Sequence, residues 1–190
     1  PVLMVLYLIG FLFGNEALLP CLVYVLIGEI MGSAVCAYLY LSVFHLDEKA
    51  KAAASFMYAF NGFLIVWGQH YQFGAICLIL PLLLWTIERR IRDPRRWPAL
   101  TVMTCICALD SMYLSYMSLI ICAVYVMVRC LMRNGKFVSW FRSVLACAWP
   151  MVLGLMMGFI NLWPSYQAIR VSSRLYSSYS LIGRLLYFGS

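Results

Sequence analysis

A chain of 190 residues that is 65% hydrophobic and only 11% charged, with a mean hydropathy of +0.89, is too apolar for a soluble domain, whose apolar share is about 45–50%. Its formal net charge of +7 does not point to nucleic acid, because the arginines stand at the ends of apolar runs, where they set membrane topology and meet anionic lipid headgroups. The runs are continuously apolar rather than alternating with a period of two, which excludes a β-barrel and predicts an all-α, polytopic transmembrane bundle.

In chain order, the sequence opens at Pro1 inside an apolar run, which reads as a fragment of a longer protein. Residues 2–13 fall short of the roughly 20 needed to span a bilayer and are expected to form a short N-terminal segment. After Asn15 and Glu16, residues 17–44 form a second segment long enough to cross with some tilt. A loop is expected at residues 45–51. Residues 52–67 and 73–88 form the third and fourth segments, joined by a hairpin link at Gly68-Gln69-His70-Tyr71-Gln72, and Pro81 is expected to kink the fourth.

Glu88-Arg89-Arg90-Ile91-Arg92-Asp93-Pro94-Arg95-Arg96 is the most charged loop and, by the positive-inside rule, cytoplasmic. Residues 98–132 are apolar apart from Asp110-Ser111-Met112-Tyr113 and end in a second basic cluster at Arg129, Arg133, Lys136 and Arg142. Two basic flanks require an even number of crossings between them, so the turn at Asp110 is expected outside. Residues 144–163 cross outward again. The sum is about six crossings plus the short N-terminal segment, with residues 1–166 as the membrane bundle and 167–190 as an extracytoplasmic interfacial tail. Trp67 and Trp163 then fall at the outer interface and Trp85, Trp97 and Trp140 near the inner one, where indoles prefer to sit.

In this topology the polar residues that it does not itself explain face outward and suggest a cavity at the outer interface. His70, flanked by Gln69, Tyr71 and Gln72, is a candidate acid or base near neutral pH. The plainer reading is an interfacial turn. Asp110, followed by Ser111, Tyr113, Ser115 and Tyr116, is a candidate base or hydroxyl acceptor; otherwise it forms the turn or caps the next helix. Tyr113 is a candidate substrate contact. Arg170 and Arg174 follow a span on the outer side, where a guanidinium suits a phosphate or a lipid headgroup.

Glu29 lies near the middle of the second segment, where a carboxyl costs about 2.5–3.5 kcal/mol on the insertion scale, so it must face protein or water. A protonated or hydrogen-bonded structural carboxyl is the favoured reading, with a proton or ion path as its rival. Gly28 and Gly32, Gly10 and Gly14, and Gly154 and Gly158 read as helix-packing devices. The eight cysteines include no CxxC pair and behave as small hydrophobes, giving no metal or redox site. Most methionines and aromatics at helical spacing are core or lipid-facing.

The run Ala53-Ala54-Ser55-Phe56-Met57-Tyr58-Ala59-Phe60-Asn61-Gly62-Phe63, the later Leu80-Pro81-Leu82-Leu83-Leu84 with Ile87-Glu88-Arg89, the Asp110–Tyr116 turn, and Trp163-Pro164-Ser165 with Ser173-Arg174 resemble the YfhO-type bacterial multi-pass membrane proteins. That family is similar to type C membrane glycosyltransferases. The resemblance implies an inverting enzyme that takes a sugar from a polyprenyl-phosphate donor and passes it to a cell-envelope glycan or teichoic-acid-like acceptor at the outer face of a bacterial cytoplasmic membrane. The outward-facing polar set fits this chemistry, with Asp110 and His70 as catalytic groups and Gln69, Tyr71, Gln72, Tyr113, Arg170 and Arg174 as substrate contacts. A cation or divalent metal would stabilise the departing phosphate. The catalytic acid usual in the first external loop of such enzymes falls in a region that precedes this chain. Two other functions stay open: a transporter or lipid flippase, with Glu29, Asn61 and Asn161 along its path, and a non-catalytic membrane scaffold.

Overall fold

The computed structural model describes residues 11, 18–67, 71–133 and 137–171, and among them the chain is helical with no strand. The described helices are α1 (Leu18–Leu41), α2 (Glu48–Ala59), α3 (Gly62–Trp67), α4 (Tyr71–Arg92), α5 (Trp97–Asp110), α6 (Met112–Arg133), α7 (Phe137–Met157) and α8 (Phe159–Val171). A 3₁₀ turn at Pro94–Arg96 joins α4 to α5.

Among the described residues three helices are long and apolar enough to cross a membrane by themselves: Pro20–Leu41, Met112–Arg133 and Phe137–Met157. The others depart from that standard for physical reasons. The 14 residues of α5 rise about 21 Å, short of a hydrocarbon core of about 30 Å. The last turns of α4 carry Glu88, Arg89, Arg90 and Arg92, so its length is only partly apolar.

Two sequence boundaries move. Half of the expected loop at 45–51 is helix, because α2 already starts at Glu48, where alanines and lysines favour helix. Lys51 bonds Glu48 at 2.5 Å and Tyr38 donates to the same carboxylate at 2.5 Å, tying α2 back onto α1. The third segment is broken at Asn61, whose amide donates to the Tyr58 carbonyl at 2.7 Å and accepts from the Leu64 amide at 2.9 Å. One side chain thus ends α2 and starts α3. Pro81 lies inside α4 and Pro150 inside α7, both without interrupting their helices.

Helix α4 packs against α1, α5 and α6, and α5 lies between α4 and α7. Leu83 and Ile87 of α4, Leu100 of α5, Cys122, Val126 and Cys130 of α6, and Cys147 and Met151 of α7 form the main core. Lipid tails are as apolar as leucine, so close contact rather than escape from water holds such helices together. The glycines show where. A Cβ at Gly154 would come 2.5 Å from the Thr101 carbonyl oxygen and 2.7 Å from the Thr104 Cβ, and one at Gly158 would overlap the Ala108 Cβ. This pair lets α7 close on α5, as expected from the sequence. Gly32 does the same against Leu78, whereas Gly28 has nothing within 4 Å of its added Cβ and is no packing device. Gly10 and Gly14 lie outside the described residues.

Contacts of Gly32 with Leu78 and of Arg92 with the Val43 carbonyl show that α1 and α4 run parallel. With α5 and α6 antiparallel to one another, every described lysine and arginine except Arg170 gathers at one end of the bundle. Trp85, Trp97 and Trp140 belong to that end and Trp163 to the other. At the basic end, Glu88, 1% exposed, receives two bonds from Arg129, one of them 3.0 Å, and a 2.6 Å bond from Tyr125. Tyr40 donates to Tyr125 at 3.0 Å, so α1, α4 and α6 share one polar network.

Candidate functional site

The end away from the arginines is built by the start of α4, the end of α5, the start of α6 and the whole of α8. Helix α5 stops at Asp110 because Ser111 is extended, with φ −153° and ψ 132°, and α6 begins at Met112. Asp110 therefore ends one helix; the capping position of the next belongs to Ser111. The Ser115 hydroxyl donates back to the Cys107 carbonyl and fixes the tight hairpin.

The α5 terminus would otherwise leave carbonyls unsatisfied. Asn161 of α8 donates to the Ala108 carbonyl at 3.1 Å and to the Leu109 carbonyl at 3.2 Å. Asn61 and Asn161, both placed on a transport path by sequence reasoning, are thus occupied as helix caps.

Glu29 comes to this same end. It is 5% exposed, and neither carboxylate oxygen has a hydrogen-bond partner among the described residues. Its carboxyl lies over Gly74, in the first turn of α4, where an added Cβ would overlap it. Asp110 is near enough for the two charges to repel. The middle of α1 is therefore level with the start of α4, so Glu29 is nearer the end away from the arginines than its position in α1 suggests. The hydrogen-bonded form of the structural reading is not met by the described residues, whereas a protonated structural carboxyl is compatible with them.

Between α6, α7 and α8 lies a groove of about 350 Å³, lined by Met112, Ser115, Tyr116 and Leu119 on one side and Phe159, Leu162, Trp163 and Tyr166 on the other, with Leu155 beneath. Its walls are almost wholly apolar. It starts two residues after Asp110. Arg170, exposed in the last turn of α8, stands one helical turn past Tyr166.

Of the catalytic and substrate-binding candidates named from sequence, none lines this groove; along the chain Asp110 lies two residues before Met112 and Arg170 four residues after Tyr166. Tyr113 is 60% exposed and not part of its lining; Tyr116 and Tyr166 are the tyrosines that line it. Tyr71 and Gln72 begin α4 at this end, but their side chains are outside the described set, and Gln69, His70 and Arg174 lie outside the described residues altogether. Sequence reading missed the groove, although its signal was present. Met112, Ser115, Tyr116 and Leu119, and likewise Phe159, Leu162, Trp163 and Tyr166, follow the i, i+3, i+4, i+7 spacing of one helix face.

Among the described residues no group of three or more His, Cys, Asp or Glu side chains gathers. All eight cysteines remain thiols, and most are buried among apolar neighbours, as small hydrophobes would be.

The model of the family described as "Bacterial membrane protein YfhO" matches residues 2–187. The chain belongs to the YfhO family. A comparison with curated proteins and one with solved structures each returned no match. Within this YfhO chain, then, an aromatic groove, a carboxyl-bearing hairpin and Arg170 share one end of a membrane bundle, and ten other described cations share the opposite end.

Proposed function

We propose that this YfhO-family chain is part of a cell-envelope glycosyltransferase that uses a polyprenyl-phosphate-linked sugar at the extracytoplasmic face of the bacterial cytoplasmic membrane, in a bundle of about six crossings. The observation that carries the reading is the apolar groove beginning beside Asp110. Tyr116, Trp163 and Tyr166 form an aromatic wall for an isoprenoid chain, and Arg170 lies where the chain's phosphate would emerge. Arg170 stands about 13 Å along α8 from Asn161 at 1.5 Å per residue, which separates a phosphate contact from an acceptor base near Asp110.

In the reaction, the Asp110 carboxylate takes the proton of the acceptor hydroxyl, whose oxygen bonds to the anomeric carbon. The bond from that carbon to the phosphate oxygen breaks, and polyprenyl phosphate leaves with the electron pair. Arg170 stabilises the charge that develops on it. His70 assists as a second acid or base.

A transport path has less support. Asn61 and Asn161, which such a path would use, serve as helix caps. Transfer of labelled sugar from a polyprenyl-phosphate donor, measured in membranes containing the full-length protein, tests the reading. Asp110→Asn should lower turnover by about 10²–10⁴-fold, His70→Ala should lower it as well, and Leu162→Trp, which fills the groove, should raise the KM for the donor. Wild-type transfer in all three, with normal insertion, would refute the proposal.

A further inference from the structure

The basic end holds a second cavity, of about 460 Å³, between the last turns of α1 and α4. Leu39 and Val43 give it an apolar wall, and Trp85, Arg89, Arg92 and Arg96 surround its opening, with Ser42 and Asp93 at the edges. Three guanidiniums face one carboxylate here. Such a surplus of positive charge in a half-apolar recess calls for an anion.

The arginines are held in place yet keep most of their donors. Arg92 donates one N–H to the Val43 carbonyl, which the end of α1 leaves outside its helix. Arg96 donates Nε–H to Asp93 at 3.3 Å. Arg89 lies 4.5 Å above the Trp85 ring and makes no ion pair among the described residues. Each guanidinium carries five N–H donors in a planar fork suited to phosphate oxygens. An ion pair, a cation–π contact and a backbone bond thus orient three forks around one space.

The position of the cavity selects the kind of anion. An indole sits by preference at headgroup depth, and the opening lies where the apolar lengths of α1 and α4 both give way to charge. A soluble phosphate would have no use for the Leu39 and Val43 wall, whereas a phospholipid would lay the first carbons of its acyl chains there. We propose that this recess is a binding site for one anionic phospholipid, with its phosphate among Arg89, Arg92 and Arg96. The site is independent of the transfer reaction at the opposite end.

The test uses the full-length protein in nanodiscs made from phosphatidylcholine with a minor share of phosphatidylglycerol, followed by native mass spectrometry of the lipid that stays bound. Wild type should retain phosphatidylglycerol at least tenfold over its share of the bilayer. The Arg89→Lys/Arg92→Lys variant keeps every positive charge, and so the topology, but loses the planar forks, and it should bring the enrichment down to near unity. Leu39→Trp leaves all charges untouched and fills the apolar side, and it should do the same. Equal enrichment in wild type and both variants would overturn the site. Complete displacement of the lipid by millimolar inorganic phosphate would overturn the phospholipid as its occupant, and persistence of the lipid would support it.

Discussion

Removing Arg129 should leave Glu88 as a carboxylate held by a single tyrosine, and the structure sets how much that matters. Glu88 is 1% exposed, while the Arg129 side chain is 29% exposed. Arg129→Met deletes both charge-assisted bonds and leaves only the 2.6 Å bond from Tyr125. Loss of one partner of a buried ion pair costs about 3–5 kcal/mol, whereas replacing both by apolar residues is often neutral. The double variant Glu88→Leu/Arg129→Met should accordingly lie within about 1 kcal/mol of wild type, because Tyr125 keeps its bond with Tyr40. Glu88→Leu alone should cost less than Arg129→Met, since the abandoned guanidinium can reach the interface along its aliphatic stem. Reversible unfolding by SDS in mixed micelles, followed by tryptophan fluorescence, gives the three free energies. A loss below about 1 kcal/mol for Arg129→Met, or additivity of the two single variants, would show that the pair does not hold α4 to α6 and would refute the reasoning.

Three further outcomes are expected. Gly154→Val should destabilise the bundle by about 1–3 kcal/mol through overpacking against α5, while Gly28→Ala, with open space around it, should be neutral or stabilise by up to about 1 kcal/mol; the same SDS titration distinguishes them. In the loop after α4, the Arg95 backbone N–H, and to a lesser extent the Arg96 guanidinium, hold the Asp93 carboxyl below the ordinary aspartate range against the effect of desolvation. A lowered folded value means that its contribution is complete above the ordinary value of about 3.9 and is lost as pH falls through the folded one, so Asp93→Asn should flatten the acid limb of a stability–pH profile, and an unchanged limb would count against the contact. Single cysteines introduced at Asp47, Arg95 and Tyr113 should react with an impermeant maleimide from one side of the membrane for the first two and from the other side for the third; labelling of all three from one side would exclude the α5–α6 hairpin as a pair of crossings.

Much of the architecture was legible because it rests on local rules. The break at Asp110 was visible as the one acidic residue in residues 98–132, and it is where α5 ends. The collection of arginines at one end follows from their positions beside apolar runs. Gly154 and Gly158 were recognised by spacing alone. Helix ends were less legible, because Glu48 and the alanines after it extend α2 into an expected loop, and the arginines after Glu88 continue α4 instead of stopping it. Asn61 shows the limit in another form. Its composition suggested a polar group on a path, but its side chain is spent on two backbone groups.

The sequence by itself determined that this is a helical membrane protein, which end is basic, and which faces of α6 and α8 are aromatic and apolar, since each of these follows from hydropathy, charge position or the 3.6-residue period. Only the tertiary structure decided that those two faces meet to form a groove. It also decided that Glu29 in the middle of α1 stands beside Gly74 and near Asp110, because the register between parallel helices depends on side-chain contacts far apart in the chain. The place of Glu88 in a network of three helices has the same origin: a charge at a helix end reads as topology until the partner helix supplies Arg129 and Tyr125.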